Sequence, residues 1–249
     1  MKKERIRVGN RKATYREAGS GRAVVVVPGL GLSGRFYDQS FAGFAAAGMR
    51  LVVPDLPGFG STRGAPLGQP VSETREFLLG LADALGLERP IWIGHSVGAQ
   101  AAIDVAAAAP HRVRGLVLVG PTGAPGGRTL PRQAWALLRE ARRAPWRVVL
   151  HIASDYARTS PFAYVGTWLR YGRDRPLHKL RAVACPVLIL VGTRDPVIDP
   201  VFLDVLLRRL PDARVERVPG GTHALPRAQP ESFNSAVLRF CRSVYEATG

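Results

Sequence analysis

The sequence predicts an α/β fold with a mostly parallel central sheet, and two observations carry the prediction. Short apolar runs alternate with amphipathic helical stretches along most of the chain, the pattern of strand and crossover helix. Most of those runs are apolar without interruption, as strands covered on both faces must be. At the start, "ERIRV" and "KATYREAG" read as two short strands joined by the turn residues Gly9 and Asn10, an antiparallel edge hairpin. "AVVVVP" then precedes the helical "FYDQSFAGFAAAG", "RLVVPD" precedes "VSETREFLLGLADALG", and "PIWIGH" precedes "VGAQAAIDVAAAAP". "VRGLVLVG" follows, and after a long interval come "PVLILVG", "VFLDVLLRRL", "RVERVP" and a closing helix, "ESFNSAVLRFCRSVYE". A chain of 249 residues with 46% hydrophobic content is expected to form one domain with a full core.

The interval between Gly120 and Cys185 departs from that rhythm. It holds no convincing buried strand, but has helix-like pieces such as "PRQAWALLREARRAP" and "APWRVVLHIASDYA", with Trp135, Trp146, Tyr156, Tyr164, Trp168 and Tyr171. An insertion at the carboxyl ends of sheet strands can roof a ligand crevice. Residues 121–184 are therefore expected to form a helical cap on a core made of residues 1–120 and 185–249. Aromatics at helical spacing equally serve as ordinary packing, so the pattern assigns none of them to a ligand.

The formal charge is +16, nearly all from arginine, because lysine occurs only at Lys2, Lys3, Lys12 and Lys179. Arginine is scattered, "RRAPWR" and "LLRRL" are too short for a basic arm, and no nucleic-acid module appears. Biased composition, with no nucleic-acid partner, is the expectation. No apolar run approaches the ~20 residues of a membrane span, and polar residues interrupt "MKKERIRVGN" where a secretory signal would be apolar. A soluble cytoplasmic protein is expected, as a monomer or a homodimer. Cys185 and Cys241 fit neither CxxC nor zinc-ligand spacing and read as packing residues.

The stretch "VVVVPGLGLSG" admits two readings. Gly29, Gly31 and Gly34 spell GxGxxG after an apolar run, and Asp55 closes the next run, as in a dinucleotide-binding unit. The same strand, loop and helix could carry an oxyanion hole, whose backbone N–H groups stabilise charge on a carbonyl oxygen during acyl transfer.

Gly94-His95-Ser96-Val97-Gly98 reads GxSxG between a strand and an alanine-rich helix, the context of a nucleophile elbow. Small residues two positions either side of the serine let so tight a turn avoid neighbouring chain. A serine hydroxyl needs a base to take its proton and a third group to orient that base. Of five histidines, His223 in "VPGGTHALP" lies in a glycine-rich loop between the last strand and the last helix, where the base belongs. "PVLILVGTRDPVIDP" puts Asp195 just beyond an apolar strand, with Asp199 the second candidate acid; either could instead cap a helix.

With these motifs in this order, the glycine loop, "DLPGFGST", "GHSVG", "GTRD" and "GGTH", nearly the whole chain resembles the α/β-hydrolase superfamily, in particular its compact members with a helical cap. The resemblance implies Ser96 as nucleophile, His223 as general base and then acid, and Asp195 as its orienting carboxylate. It implies backbone N–H groups of Leu30 and Val97 as the oxyanion hole, Asp55 as the start of a DLxGxGxS loop, and no metal or organic cofactor. Two positions depart from the family's habit. Pro28 stands where many relatives have histidine, removing a side-chain support of the oxyanion loop, and Ala99 stands where a further glycine is common.

The expected activity is hydrolysis of small to medium apolar or aromatic carboxylic esters through an acyl-enzyme. Lactones and carbon–carbon bonds are attacked by the same residues in this fold, and a slow-turnover ligand sensor is the alternative from another class. Arg132, Arg139, Arg142, Arg143, Arg147 and Arg158 make the inserted interval basic, so substrates bearing a carboxylate are a further option, although such arginines more commonly lie on solvated helix faces.

Overall fold

The computed structural model describes residues 1–123, 130–210 and 212–247, without the side chains of 130–134 and 137. The predicted hairpin is β1 (Lys2–Val8) and β2 (Arg11–Ala18), paired antiparallel. β3 (Arg22–Val27) follows, then a 3-10 turn at Gly34–Tyr37, the short α1 (Phe41–Ala46) and β4 (Met49–Pro54). The single helix expected after β3 is thus two pieces. Ser33 accepts the amide of Arg35 and starts the first, so that Phe36 and Tyr37 turn inward.

Next come α2 (Val71–Ala84), β5 (Ile91–His95), α3 (Gly98–Ala108) and β6 (Gly115–Val119). Between β6 and the next strand lie α4 (Leu130–Arg143), α5 (Trp146–Tyr156), α6 (Pro161–Gly172) and α7 (Pro176–Lys179), and no strand among the described residues. Residues 124–129 of the expected cap, and the side chain of Arg132, lie outside the described residues. The chain closes with β7 (Val187–Gly192), α8 (Pro200–Arg209), β8 (Ala213–Val218), α9 (Leu225–Ala228) and α10 (Pro230–Glu246).

The eight strands form one sheet in the order β1-β2-β4-β3-β5-β6-β7-β8, antiparallel at β1-β2 and β2-β4 and parallel from β4 to β8. The α/β class is therefore as the sequence predicts. Alternate residues of β3 face opposite cores. Val25 and Val27 belong to the core cluster that also holds residues of α2, α3 and α8, while Val24 and Val26 belong to the one that holds residues of α1 and α10. This two-sided burial is why the strand is apolar throughout. From β3 the chain runs outward to β4, then returns past β3 to β5, so strand order reverses between β3 and β5. A crevice opens at the carboxyl ends of strands at such a switch point, and the loops holding Leu30 and Ser96 leave from those two ends.

Candidate active site

Ser96 follows β5 directly and holds φ at +56°, a left-handed backbone that a side chain adopts only under constraint from its surroundings. The flanking glycines supply the room. A Cβ at Gly94 would lie 2.5 Å from the Cα of Ala99, and one at Gly98 would collide with the carbonyl of Val27. The turn therefore presses β5, α3 and the end of β3 together, and lifts the serine side chain into the crevice at the start of α3.

His223 and Asp195 meet it there. Ser96 Oγ lies 2.9 Å from His223 Nε2, and His223 Nδ1 lies 2.8 Å from Asp195 Oδ2. The second oxygen of Asp195 accepts the amides of Val197 at 2.7 Å and Ile198 at 3.3 Å. Burial pushes the pKa of Asp195 up, but the charge and hydrogen bond of His223 and those two amides outweigh it, so the net shift is downward. An ionised carboxylate held this way fixes which ring nitrogen of His223 carries the proton. Asp199 is elsewhere: its carboxylate accepts the amides of Val201 and Phe202 and caps α8.

The other parts of the glycine loop also find partners within the protein. Leu30 and Val97, whose amides the resemblance implies as oxyanion donors, both line the cavity that holds Ser96 and His223. Gly29 sits against Ser96, Gly31 lies beneath the Tyr156 ring, and the Gly34 amide donates to Asp55 Oδ1 at 2.7 Å. Asp55 Oδ2 accepts the amide of Ser61, again at 2.7 Å. The acidic residue that a ribose would need is thus spent on joining two loops, and the dinucleotide reading lapses.

Five residues at this site carry no sequence motif for their part. Glu140, on α4, is buried and accepts two main-chain amides, His223 at 3.1 Å and Ala224 at 2.9 Å. Asp155, on α5, is buried and accepts both the amide of Ser33 at 2.9 Å and its hydroxyl. Tyr37 and His95 are buried together, with the Tyr37 hydroxyl 2.9 Å from His95 Nδ1 and His95 Nε2 3.0 Å from the main-chain carbonyl of His223. Burial foremost, then the charge of His223, lowers the pKa of His95 to about 3, so its ring is neutral. A carbonyl only accepts, so Nε2 carries the hydrogen and Nδ1 accepts from Tyr37. A glycine completes the set: Gly120, just after β6 at φ +50°, has space for no side chain, since a Cβ there would lie 2.9 Å from His223 Nδ1 and 3.0 Å from Asp195 Oδ2.

The cavity over Ser96 has a volume of about 250 Å³. Leu30, Leu32, Val149, Ile152, Tyr156 and Tyr164 contribute to its wall, and no arginine or lysine does so among the described residues. Among the described residues its one carboxylate, Glu140, is already engaged by the two amides. Of the other aromatics between β6 and β7, Tyr171 is core, donating to Thr74 Oγ1, while Trp135 and Trp146 are exposed.

Comparison with known proteins places this geometry in company. A family model described as the alpha/beta hydrolase family matches residues 24–236. A candidate carbamate hydrolase, RutD, of Azorhizobium caulinodans is 24% identical over 95% of this chain and 97% of its own. The 2-hydroxy-6-oxo-6-phenylhexa-2,4-dienoate hydrolase of Comamonas testosteroni is 33% identical, over 44% of this chain and 40% of its own. Among solved structures, a thermophilic esterase from Thermogutta terrifontis superposes with a TM-score of 0.84 at 21% identity, covering 98% of this chain and 99% of that one.

Proposed function

Because the chain belongs to the alpha/beta hydrolase family, we propose that it is a serine hydrolase cleaving uncharged apolar or aromatic carboxylic esters, with Ser96, His223 and Asp195 as its catalytic residues. The observation that carries the reading is the unbroken line from Asp195 Oδ2 through His223 to Ser96 Oγ, with steps of 2.8 and 2.9 Å. His223 Nε2 takes the Ser96 proton as Oγ attacks the ester carbonyl, and the carbonyl oxygen becomes an oxyanion. The amides of Leu30 and Val97 stabilise that charge, and the Asp195 carboxylate stabilises the imidazolium. His223 then protonates the departing alcohol, and water repeats the steps on the acyl-enzyme to release the acid.

The cavity supports the substrate class. At about 250 Å³ it lies just below the ~300 to 1,000 Å³ common for small-molecule sites, which suits a short to medium acyl or aryl group. A substrate bearing a carboxylate would have to shed its hydration with Glu140 nearby and no cation on the described wall, so charged carbon–carbon cleavage substrates fit less well. The helices α5 and α6 act as a cap over this cavity, with Tyr156 and Tyr164 on its wall.

The test is hydrolysis of nitrophenyl esters, from acetyl to long acyl plus an aryl ester, by wild type and Ser96→Ala in parallel. Multiple turnovers that vanish in the variant are expected, with a preference for short to medium acyl chains. Equal rates from both proteins would sink the assignment of Ser96. A single equivalent of product per wild-type protein would turn the reading toward a ligand sensor.

A further inference from the structure

The helices over the cavity present an outer surface that the proposed chemistry does not use. Large apolar side chains stand exposed on each. Trp135 and Leu138 do so on α4, Trp146 and Leu150 on α5, and Phe162, Val165 and Leu169 on α6. Their spacing of three or four residues puts those of each helix in one outward stripe. Trp146 is 66% and Phe162 73% exposed, an arrangement that water alone disfavours.

Charge on the same segment is lopsided. Between residues 121 and 184 there are twelve arginines and lysines and three acids. All three acids are engaged. Glu140 and Asp155 are buried against the loops of the site, and Asp174 pairs with Lys179 at 2.6 Å. Arg139, Arg142, Arg147, Arg158 and Arg170, in or just beyond the same helices, are also exposed, with Arg147 5.4 Å above the Trp146 ring.

We propose that the outward face of α4, α5 and α6 docks on an anionic lipid bilayer, with Trp146, Leu150 and Phe162 entering the headgroup boundary and the surrounding arginines meeting lipid phosphates. A surface apolar within and anionic at its edge matches both features at once, and tryptophan and arginine suit that boundary. A second copy of the chain would bury the apolar stripes, yet it would press two arginine-rich faces together. A nucleic acid would satisfy the arginines and leave leucine and valine in water. No helix among the described residues is long and apolar enough to cross a membrane, so the contact is with a bilayer surface. The proposal is independent of which bond Ser96 attacks.

The experiment is sedimentation of the full chain at physiological salt with vesicles of phosphatidylcholine alone or mixed equally with phosphatidylglycerol, some carrying brominated acyl chains that quench tryptophan. Wild type is expected to bind the mixed vesicles, with quenching, and the neutral ones at least about tenfold more weakly. A Trp146→Ser/Leu150→Ser/Phe162→Ser variant keeps every charge and alters only exposed side chains. It should keep the wild-type melting temperature and lose quenching and most of the binding. An Arg139→Glu/Arg147→Glu variant, tested alongside it, should lose the preference for phosphatidylglycerol. Undiminished binding by the serine variant, or binding without quenching, would reduce the contact to bulk charge and overturn the proposal. So would a concentration-dependent dimer of wild type that the serine variant abolishes, or binding of single-stranded RNA without binding of the mixed vesicles.

Discussion

Replacing Glu140 by alanine removes the acceptor for two main-chain amides, those of His223 and Ala224, that are 3.1 and 2.9 Å from its carboxylate. Each amide is buried where water does not readily substitute, and an unsatisfied buried donor costs about 1–3 kcal/mol. If the loop held its place, the folded state would lose about 2–6 kcal/mol, which for a chain of this size lowers the melting temperature by roughly 2–4 °C per kcal/mol. If the loop shifts to find other acceptors, much of that loss is recovered. The imidazole then moves relative to Ser96, and a displacement near 1 Å costs on the order of a hundredfold in rate. Either response leaves a mark: lower stability, lower kcat, or a share of both.

The assay is steady-state ester hydrolysis and thermal melting of wild type, Glu140→Gln and Glu140→Ala. Glutamine keeps one acceptor oxygen but turns an NH₂ toward the second amide, so it should fall between the other two. Glu140 also borders the cavity, and alanine would enlarge it. The rate at which a small phosphonate inactivates Ser96 separates the two effects, because it depends on His223 as base and little on acyl fit. Alanine is expected to slow inactivation and kcat together, by about tenfold to a hundredfold. An alanine variant with the kcat, inactivation rate and melting temperature of wild type would refute the claim that α4 holds the histidine loop.

Three further outcomes are expected. Gly120→Ala should cut turnover by about a hundredfold or more, because its Cβ would press on both His223 Nδ1 and Asp195 Oδ2; a fully active purified variant would show that the loop yields freely. Asp195→Ala should lose about a thousandfold or more in kcat, whereas Asp199→Ala should lose only a helix cap, about 1 kcal/mol by urea unfolding, and a reversal of these effects would exchange their roles. His95 binds its proton at pH 6.5 when unfolded and at about 3 when folded. Stability from its neutral burial is thus full above pH 6.5 and declines as pH falls toward 3, by a few kcal/mol in all. Urea midpoints measured across that window should fall less steeply for His95→Asn, and identical slopes would contradict the linkage.

The parts of the site that could be read from sequence are those set by short-range geometry. GxSxG is legible because a serine at φ +56° needs small neighbours at fixed offsets, and the strand before it and helix after it announce themselves. His223 and Asp195 are legible by position, each in a loop beyond a strand of the same sheet. Glu140 and Asp155 are not. In "LLREARR" a lone glutamate among arginines looks like a solvated helix charge, and only the docking of α4 on the histidine loop turns it inward. Gly120 reads as a strand terminator, and its need to be glycine arises from two residues far along the chain. The exposure of Trp135 and Trp146 was likewise invisible, since helical periodicity does not distinguish a stripe facing the core from one facing outward.

Pro28 raises the question of what stiffens the oxyanion loop without the histidine common at that place in the family. Three internal supports answer it. Asp55 holds the amide of Gly34 and Asp155 that of Ser33, so the loop's far end is tied both to the core and to α5. At its near end the Gly29 amide hydrogen-bonds to Tyr37, whose hydroxyl donates to His95, whose Nε2–H donates to the carbonyl of His223. Histidine inside the turn, one residue before Ser96, thereby couples the loop that carries one proposed oxyanion donor to the loop that carries His223. Chains of buried hydrogen bonds polarise and fix one another when every member is satisfied, and here the ring's neutrality is what lets one nitrogen donate while the other accepts. The support that Pro28 cannot give from its own position is supplied from Tyr37 and His95 instead, and it reaches His223 as well as the loop.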